Sequence, residues 1–192
     1  MSLSMYDASI PVLIRGLGIM SHYLDKAAAY AIEKNIPVSV LLQARLAPDM
    51  LPLAGQVQRA SDNAKGGAAR LAGITGPNFA DTETTLEELQ ERVAKTLAFL
   101  ETITPEQLEG SASRTNELRF RSINGVMRGD VYLLSFLLPN FFFHITTAHD
   151  ILRHNGCQLN KRDYIGSDSL SYITPLVTSF FGSQPAGVPN SQ

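Results

Sequence analysis

At 192 residues the chain is long enough for one well-buried core and short for two, since domains usually run about 100 to 200 residues. Sixteen basic residues against eighteen acidic give a formal net charge of -2, which argues against a nucleic-acid partner, because such binders gather a basic excess into a patch or stripe. Cys157 is the single cysteine, so an intramolecular disulfide and a cysteine-rich zinc site are excluded and a reducing compartment, the cytoplasm, is expected.

The stretch up to Met20 lacks the early basic residues and uninterrupted apolar run of a signal peptide. Within it begins the first helical pattern. Ile10, Leu13, Ile14, Leu17, Leu24, Ala28 and Ala31 recur at three- and four-residue steps, with Arg15, His22 and Asp25 on another face, which predicts an amphipathic helix from about Tyr6 to Lys34. A short helical turn, Val38 to Leu46, leads to a second long helix that starts after Pro48 and Pro52, with Asp49 as the expected cap. Leu53, Val57, Ala60, Ala64, Ala68 and Leu71 form its stripe, and their small size permits close packing. The third helix is announced by Asp81, Thr82 and Thr84, with Thr84 three residues before Glu87 as in a capping box. Leu86, Leu89, Val93, Leu97 and Leu100 supply its buried face, and Thr104-Pro105 ends it.

Apolar and polar residues then alternate from Glu117 to Ile123, and Asn124-Gly125 is a strong two-residue turn signal, so a small β-hairpin is expected over the bundle. The fourth helix, about Asp130 to Asn155, is the most apolar. Pro139 lacks a backbone donor and crowds the preceding turn, which predicts a kink there. Its apolar run from Val131 to Phe143 is interrupted by Ser135, Pro139 and Asn140, short of the roughly 18 apolar residues that span a bilayer, so no membrane partner is expected. Beyond Gly166 the composition shifts to Ser, Thr, Pro and Gly. The expected organisation is one all-α, antiparallel four-helix bundle over residues 1–166, followed by a partly disordered tail, 167–192, whose Phe180 and Phe181 are the residues able to dock on the body.

No GxGxxG after a strand, phosphate-binding loop, HExxH or GxSxG is present, which argues against nucleotide-dependent and serine-hydrolase chemistry. The candidate residues are instead polar side chains on apolar helix faces. Asn140 and His144 stand one helical turn apart, in line with Phe136 and Ile151. Gln56 lies between Leu53 and Ala60 at helical spacing, with Asn63 two turns further along the same line. Gln56, Asn140 and His144 can therefore meet in the interior, either as a ligand site or as buried polar groups that satisfy one another and fix helix register. His149, five residues past His144, is turned by roughly 140° away from that face. His154 suits the end of the helix dipole, His22 a solvated face, and Cys157 an ordinary loop position. Asp62 and Lys65, like Lys161-Arg162-Asp163-Tyr164, suit surface or packing contacts.

The run Leu46-Ala47-Pro48-Asp49-Met50-Leu51-Pro52-Leu53 with Gln56-Val57, and the run from Leu138-Pro139-Asn140 through His144 to Leu152-Arg153-His154-Asn155-Gly156, resemble a domain-of-unknown-function branch of the DinB/YfiT-like superfamily. Asp62 with Ala64-Lys65, Ala69-Arg70-Leu71, Glu83-Thr84-Thr85 and Lys161-Arg162-Asp163-Tyr164 extend the similarity, which covers about Met5 to Gly166. The resemblance implies a four-helix bundle, often a homodimer, with a site between the second and fourth helices. In better-understood relatives three histidines there bind a divalent metal such as nickel or zinc, and some members are thiol-dependent S-transferases or isomerases. On that matching His144 falls on the second histidine of an HxxxH pair, Asn140 falls on the first, and Gln56 lies near the second-helix ligand. Amides are poor ligands for nickel or zinc, so no cofactor is expected, and His144 is the one candidate donor should either metal bind.

Three functions follow as expectations. The first is a small-molecule site between the second and fourth helices, with His144 as general base or acid and Gln56 and Asn140 orienting the ligand. The second is a non-enzymatic homodimeric interaction protein. The third is a metal-dependent thiol transferase or isomerase.

Overall fold

Proline and a left-handed residue bound the first long helix. Pro11, in the first turn of α1 (Ile10–Lys34), loses no helical hydrogen bond there, and Asn35 ends the helix at φ 52°, its N–H turned back to the carbonyls of Ala31 and Ile32. The helix starts four residues later than the periodicity suggests, because Met5 to Ser9 form turns and the Ser9 hydroxyl donates to the Met5 carbonyl at 2.6 Å. The computed structural model describes residues 3–120 and 123–166; the expected tail, 167–192, with Phe180 and Phe181, lies outside them.

A short helix, α2 (Val38–Gln43), precedes α3 (Leu53–Ala72). Pro52 occupies the N-cap position of α3, so Asp49 caps nothing and lies in the exposed turn before it. α4 (Leu86–Glu101) carries a full capping box one residue beyond the Thr84–Glu87 pair. The Thr85 hydroxyl accepts from the Glu88 N–H at 3.2 Å, while the Glu88 carboxylate accepts from the N–H groups of Thr84 and Thr85. Thr85 wins because it directly precedes Leu86, the first core residue of the helix.

A 3₁₀ turn (Glu106–Leu108) leads into the hairpin of β1 (Thr115–Phe120) and β2 (Ile123–Arg128), paired antiparallel with Phe120 opposite Ile123. Asn124-Gly125 is therefore not the turn; the two residues sit inside β2, opposite Arg119 and Leu118. Burial decides this register. Asn116 and Leu118, two apart on one face of β1, are both buried, and slipping the pairing by one residue would turn them outward.

The last long helix is built in three pieces: α5 (Gly129–Tyr132), a π-type turn (Leu133–Leu137) and α6 (Leu138–His154). Pro139 cannot donate to the preceding turn, and the wider π turn immediately before it absorbs that missing bond where the sequence predicts a kink. The run Gly129–His154 is long and apolar enough to cross a membrane by length and composition, yet Leu133, Leu137, Phe141, Ile145, Ala148 and Leu152 are all buried within the protein. It is one of the four long helices of the bundle.

α1, α3, α4 and α5–α6 form the bundle, with α3 and α1 both packed between α4 and α6. Leu13, Leu17, Tyr23, Val57, Leu89, Phe141, Ile145 and Ile151 are among its fully buried residues, each apolar side chain contributing about 1.5–3 kcal/mol. Two glycines bring the helices together. A Cβ on Gly16 of α1 would lie 2.3 Å from the Phe141 ring, and one on Gly67 of α3 would lie 2.3 Å from Leu137. A final short helix, α7 (Lys161–Ile165), folds back on α1, where Arg15 donates to the Ile165 carbonyl and Tyr164 meets Phe142 edge-on.

Candidate functional site

α3 and α6 run antiparallel, and their facing polar residues meet in two rungs. In the first, the Gln56 amide nitrogen donates to the Leu51 carbonyl at 3.0 Å, which turns its oxygen toward Nδ1 of His144, 2.7 Å away. An amide oxygen only accepts, so His144 Nδ1–H is the donor and Nε2 carries the lone pair of the neutral ring. In the second rung, Asn63 donates to the Arg59 carbonyl at 2.8 Å, and its oxygen accepts from the Asn140 amide nitrogen at 2.7 Å. That bond leaves the Asn140 oxygen as a second acceptor. Gln56 and His144 thus meet as expected, whereas Asn140 pairs with Asn63 and not with either of them.

His144 is half-buried and its ring stands edge-on to exposed Phe143, with centroids 5.3 Å apart. Loss of hydration, then the charge of Arg59, lowers its pKa from 6.5 to about 4. Arg59 is the neighbour of His144 that the sequence analysis does not single out. It stands three residues after Gln56 and four before Asn63, on the same face, a spacing that marks it as part of the seam. Its guanidinium is held by Asp62 at 2.9 Å and by Asp81.

Those two carboxylates belong to a larger ion cluster. Arg92, fully buried on α4, donates to Asp62 at 2.7 Å, to Glu83 at 2.8 Å and to the Ala80 carbonyl at 2.9 Å. Lys65 meets Asp62 at 2.8 Å, and both Lys65 and Arg92 lie over the Phe79 ring. Asp62, half-buried, and Lys65, buried, are therefore packing groups: they tie the segment 78–84 to α3 and α4. Beside them the buried hydroxyls of Ser61 and Thr96 join α3 to α4 at 2.7 Å.

The remaining candidates lie apart from the seam. His149 faces α1, its ring 5.8 Å from that of Tyr23. His154 is exposed in the last turn of α6, as a dipole-complementing residue would be. His22, expected on a solvated face, keeps 44% of its side chain exposed and donates from Nε2 to the Asp163 carboxylate of α7 at 2.8 Å. Cys157 is fully buried, and burial pushes its thiol pKa up, which fits an inert position. Two clefts, of about 610 Å³ beside Ile32, Ile36 and Leu86 and about 320 Å³ beside Phe79, Glu83 and Lys95, do not adjoin His144. The chemistry of the seam, rather than its volume, makes it the candidate site.

The donors here do not fit a nickel or zinc centre. His144 offers one free imidazole nitrogen, while Gln56, Asn63 and Asn140 offer only amide groups, which are poor ligands for either metal. Among the described residues no group of three or more His, Cys, Asp or Glu side chains is placed to hold a metal.

The family model for a domain of unknown function, DUF1993, matches residues 5–165. A crystal structure of a DinB family member protein from Shewanella denitrificans is similar at TM-score 0.81 and 39% identity, over 85% of this chain and 92% of that one. No curated protein matches.

Proposed function

We propose that this chain, which belongs to the domain-of-unknown-function family DUF1993 in the DinB-like superfamily, uses the α3–α6 seam as a metal-free binding site for a small neutral molecule with hydrogen-bond donors and an apolar body. The observation that carries this reading is the orientation of two side chains. Gln56 fixes the His144 proton on Nδ1, and Asn63 fixes the Asn140 amide, so that Nε2 and an amide oxygen one helical turn apart are left as acceptors. Phe143, 55% exposed, and Leu51, 44% exposed, offer apolar surface next to them. A hydroxyl, thiol or amide N–H satisfies these acceptors, whereas a cationic donor is opposed by Arg59.

The depressed pKa separates binding from catalysis. With a pKa of about 4, about one His144 in a thousand is protonated at pH 7, so it is a poor general acid, and as a base it is far from the near-neutral optimum. His144 therefore serves as a hydrogen-bond acceptor first and as a weak base only for an already acidic proton. The reading places the protein in the cytoplasm, in keeping with its one cysteine being a free, buried thiol.

The test is saturation-transfer NMR with a panel of small neutral alcohols, thiols and primary amides, on wild type and His144→Gln. Saturable binding that is lost in the variant, while its melting temperature is kept, supports the site. Equal binding by both proteins, or none by wild type at millimolar concentrations, counts against it.

A second reading rests on a different observation. Val131 and Leu134, one turn apart at the start of the last long helix, are 42% and 63% exposed, an apolar surface suited to a second copy of the chain. Sedimentation equilibrium decides it: a dimer that Leu134→Lys converts to monomer is the expected result, and a monomeric wild type refutes it.

A further inference from the structure

Where α1 stops and α4 starts, the bundle carries an open cleft of about 610 Å³, within the size range of small-molecule sites. Its lining is mostly apolar. Ala28 and Ala31 of α1 face Leu86, the first residue of α4, and these small side chains leave the space unfilled. Beside them stand Ile32, 81% exposed, and the half-buried Ile36 and Val38 on the segment that leaves α1. Ile32 is thus apolar surface that the bundle itself does not use. The cleft does not adjoin His144, so it is independent of the α3–α6 seam and of what binds there.

The charge of the cleft is one-sided. Among the described residues that line it, Glu87, in the first turn of α4, is the one charged side chain, and no cation among them meets its carboxylate. Lys34, the basic residue in the last turn of α1, is held elsewhere: its ammonium pairs with Glu33 at 2.7 Å and lies 5.7 Å from the centre of the Tyr30 ring. Tyr30 is nearly opposite Ile32 around the helix, so that ammonium does not serve the cleft. The carbonyl end of α1, closed by Asn35, adds the negative pole of the helix dipole on the same side. We propose that this cleft binds a small organic monocation, an ammonium group on an apolar body. The ammonium donates to the Glu87 carboxylate and the Asn35 amide oxygen, while the body lies against Ile32, Ile36 and Val38. An anion is opposed here by Glu87, just as a cation is opposed at the seam by Arg59, so the two sites select different ligands.

Amide NMR titrations of the full chain with phenethylamine, phenethyl alcohol and phenylacetate at pH 7 test the assignment. These probes share an aromatic body and differ in charge. The expected result is saturable shifts at residues 28–38 and 86–87, with the amine bound roughly two- to fivefold more tightly than the alcohol, the range of a part-exposed charge pair, and phenylacetate more weakly than either. Glu87→Gln, an isosteric change at an exposed position, should bring the amine down to the alcohol and leave the alcohol unchanged. Ile32→Ala should weaken both, and His144→Gln neither. No saturable shift in the cleft at millimolar amine, phenylacetate bound as tightly as the amine, or an amine preference that survives in Glu87→Gln overturns the proposal.

Discussion

Protonating His144 would put a cation in a part-buried seam beside the Arg59 guanidinium, and the fold resists it. The ring's folded pKa, about 4, lies below its unfolded value of 6.5, so between those values the unfolded chain binds the extra proton. Stability should therefore be full above about pH 6.5, fall as the pH is lowered toward 4, and level off below it, as far as His144 contributes. In urea melts across that window, wild type should lose stability relative to His144→Gln; parallel curves would mean that His144 is not held neutral. Helical spacing was enough to bring Gln56 and His144 together on paper, because a residue four positions along keeps the same face. Arg59 was not legible the same way, since a lone arginine at i+3 looks like a solvated residue until Asp62 and Asp81 are seen to hold it. Asn140 missed its expected partners because Asn63, one rung along, was nearer.

Helix ends and helix contacts supply the next set of effects. Thr85→Ala should cost about 1 kcal/mol by removing the acceptor of the capping box, and Thr84→Ala much less, which chemical denaturation of the two variants would distinguish. Gly67→Ala and Gly16→Ala should each cost about 1–3 kcal/mol, because Leu137 and Phe141 are fully buried and have little room to retreat from a new methyl. The four long helices were readable from apolar periodicity, which reflects burial directly. Their boundaries and the hairpin turn were less so: Asn124-Gly125 has strong turn chemistry, but the burial of Asn116 and Leu118 sets the register instead. A π turn stands immediately before Pro139, where the sequence predicts a kink.

The bundle as a unit depends on one feature that composition does not reveal. Arg92 looks like a surface residue of an amphipathic helix, yet it is 2% exposed and gathers Asp62, Asp81 and Glu83 around it. Arg92→Met should cost about 3 kcal/mol or more, because it strands partly buried carboxylates without their counter-charge. Through Asp62 and Asp81 the same cluster fixes Arg59, and through Arg59 it reaches His144, so the loosened cluster should also move the His144 titration upward. The fold class was legible because it follows from pattern; this coupling was not, because it joins residues from α3, α4 and the segment between them. The most direct test of the account is a long-range ¹H–¹⁵N NMR spectrum of the His144 imidazole in the full chain at pH 7. A neutral ring protonated on Nδ1, with Nε2 bare, is the predicted result. A ring protonated on Nε2, or an imidazolium at that pH, would contradict the Gln56–His144 geometry and the acceptor site built on it.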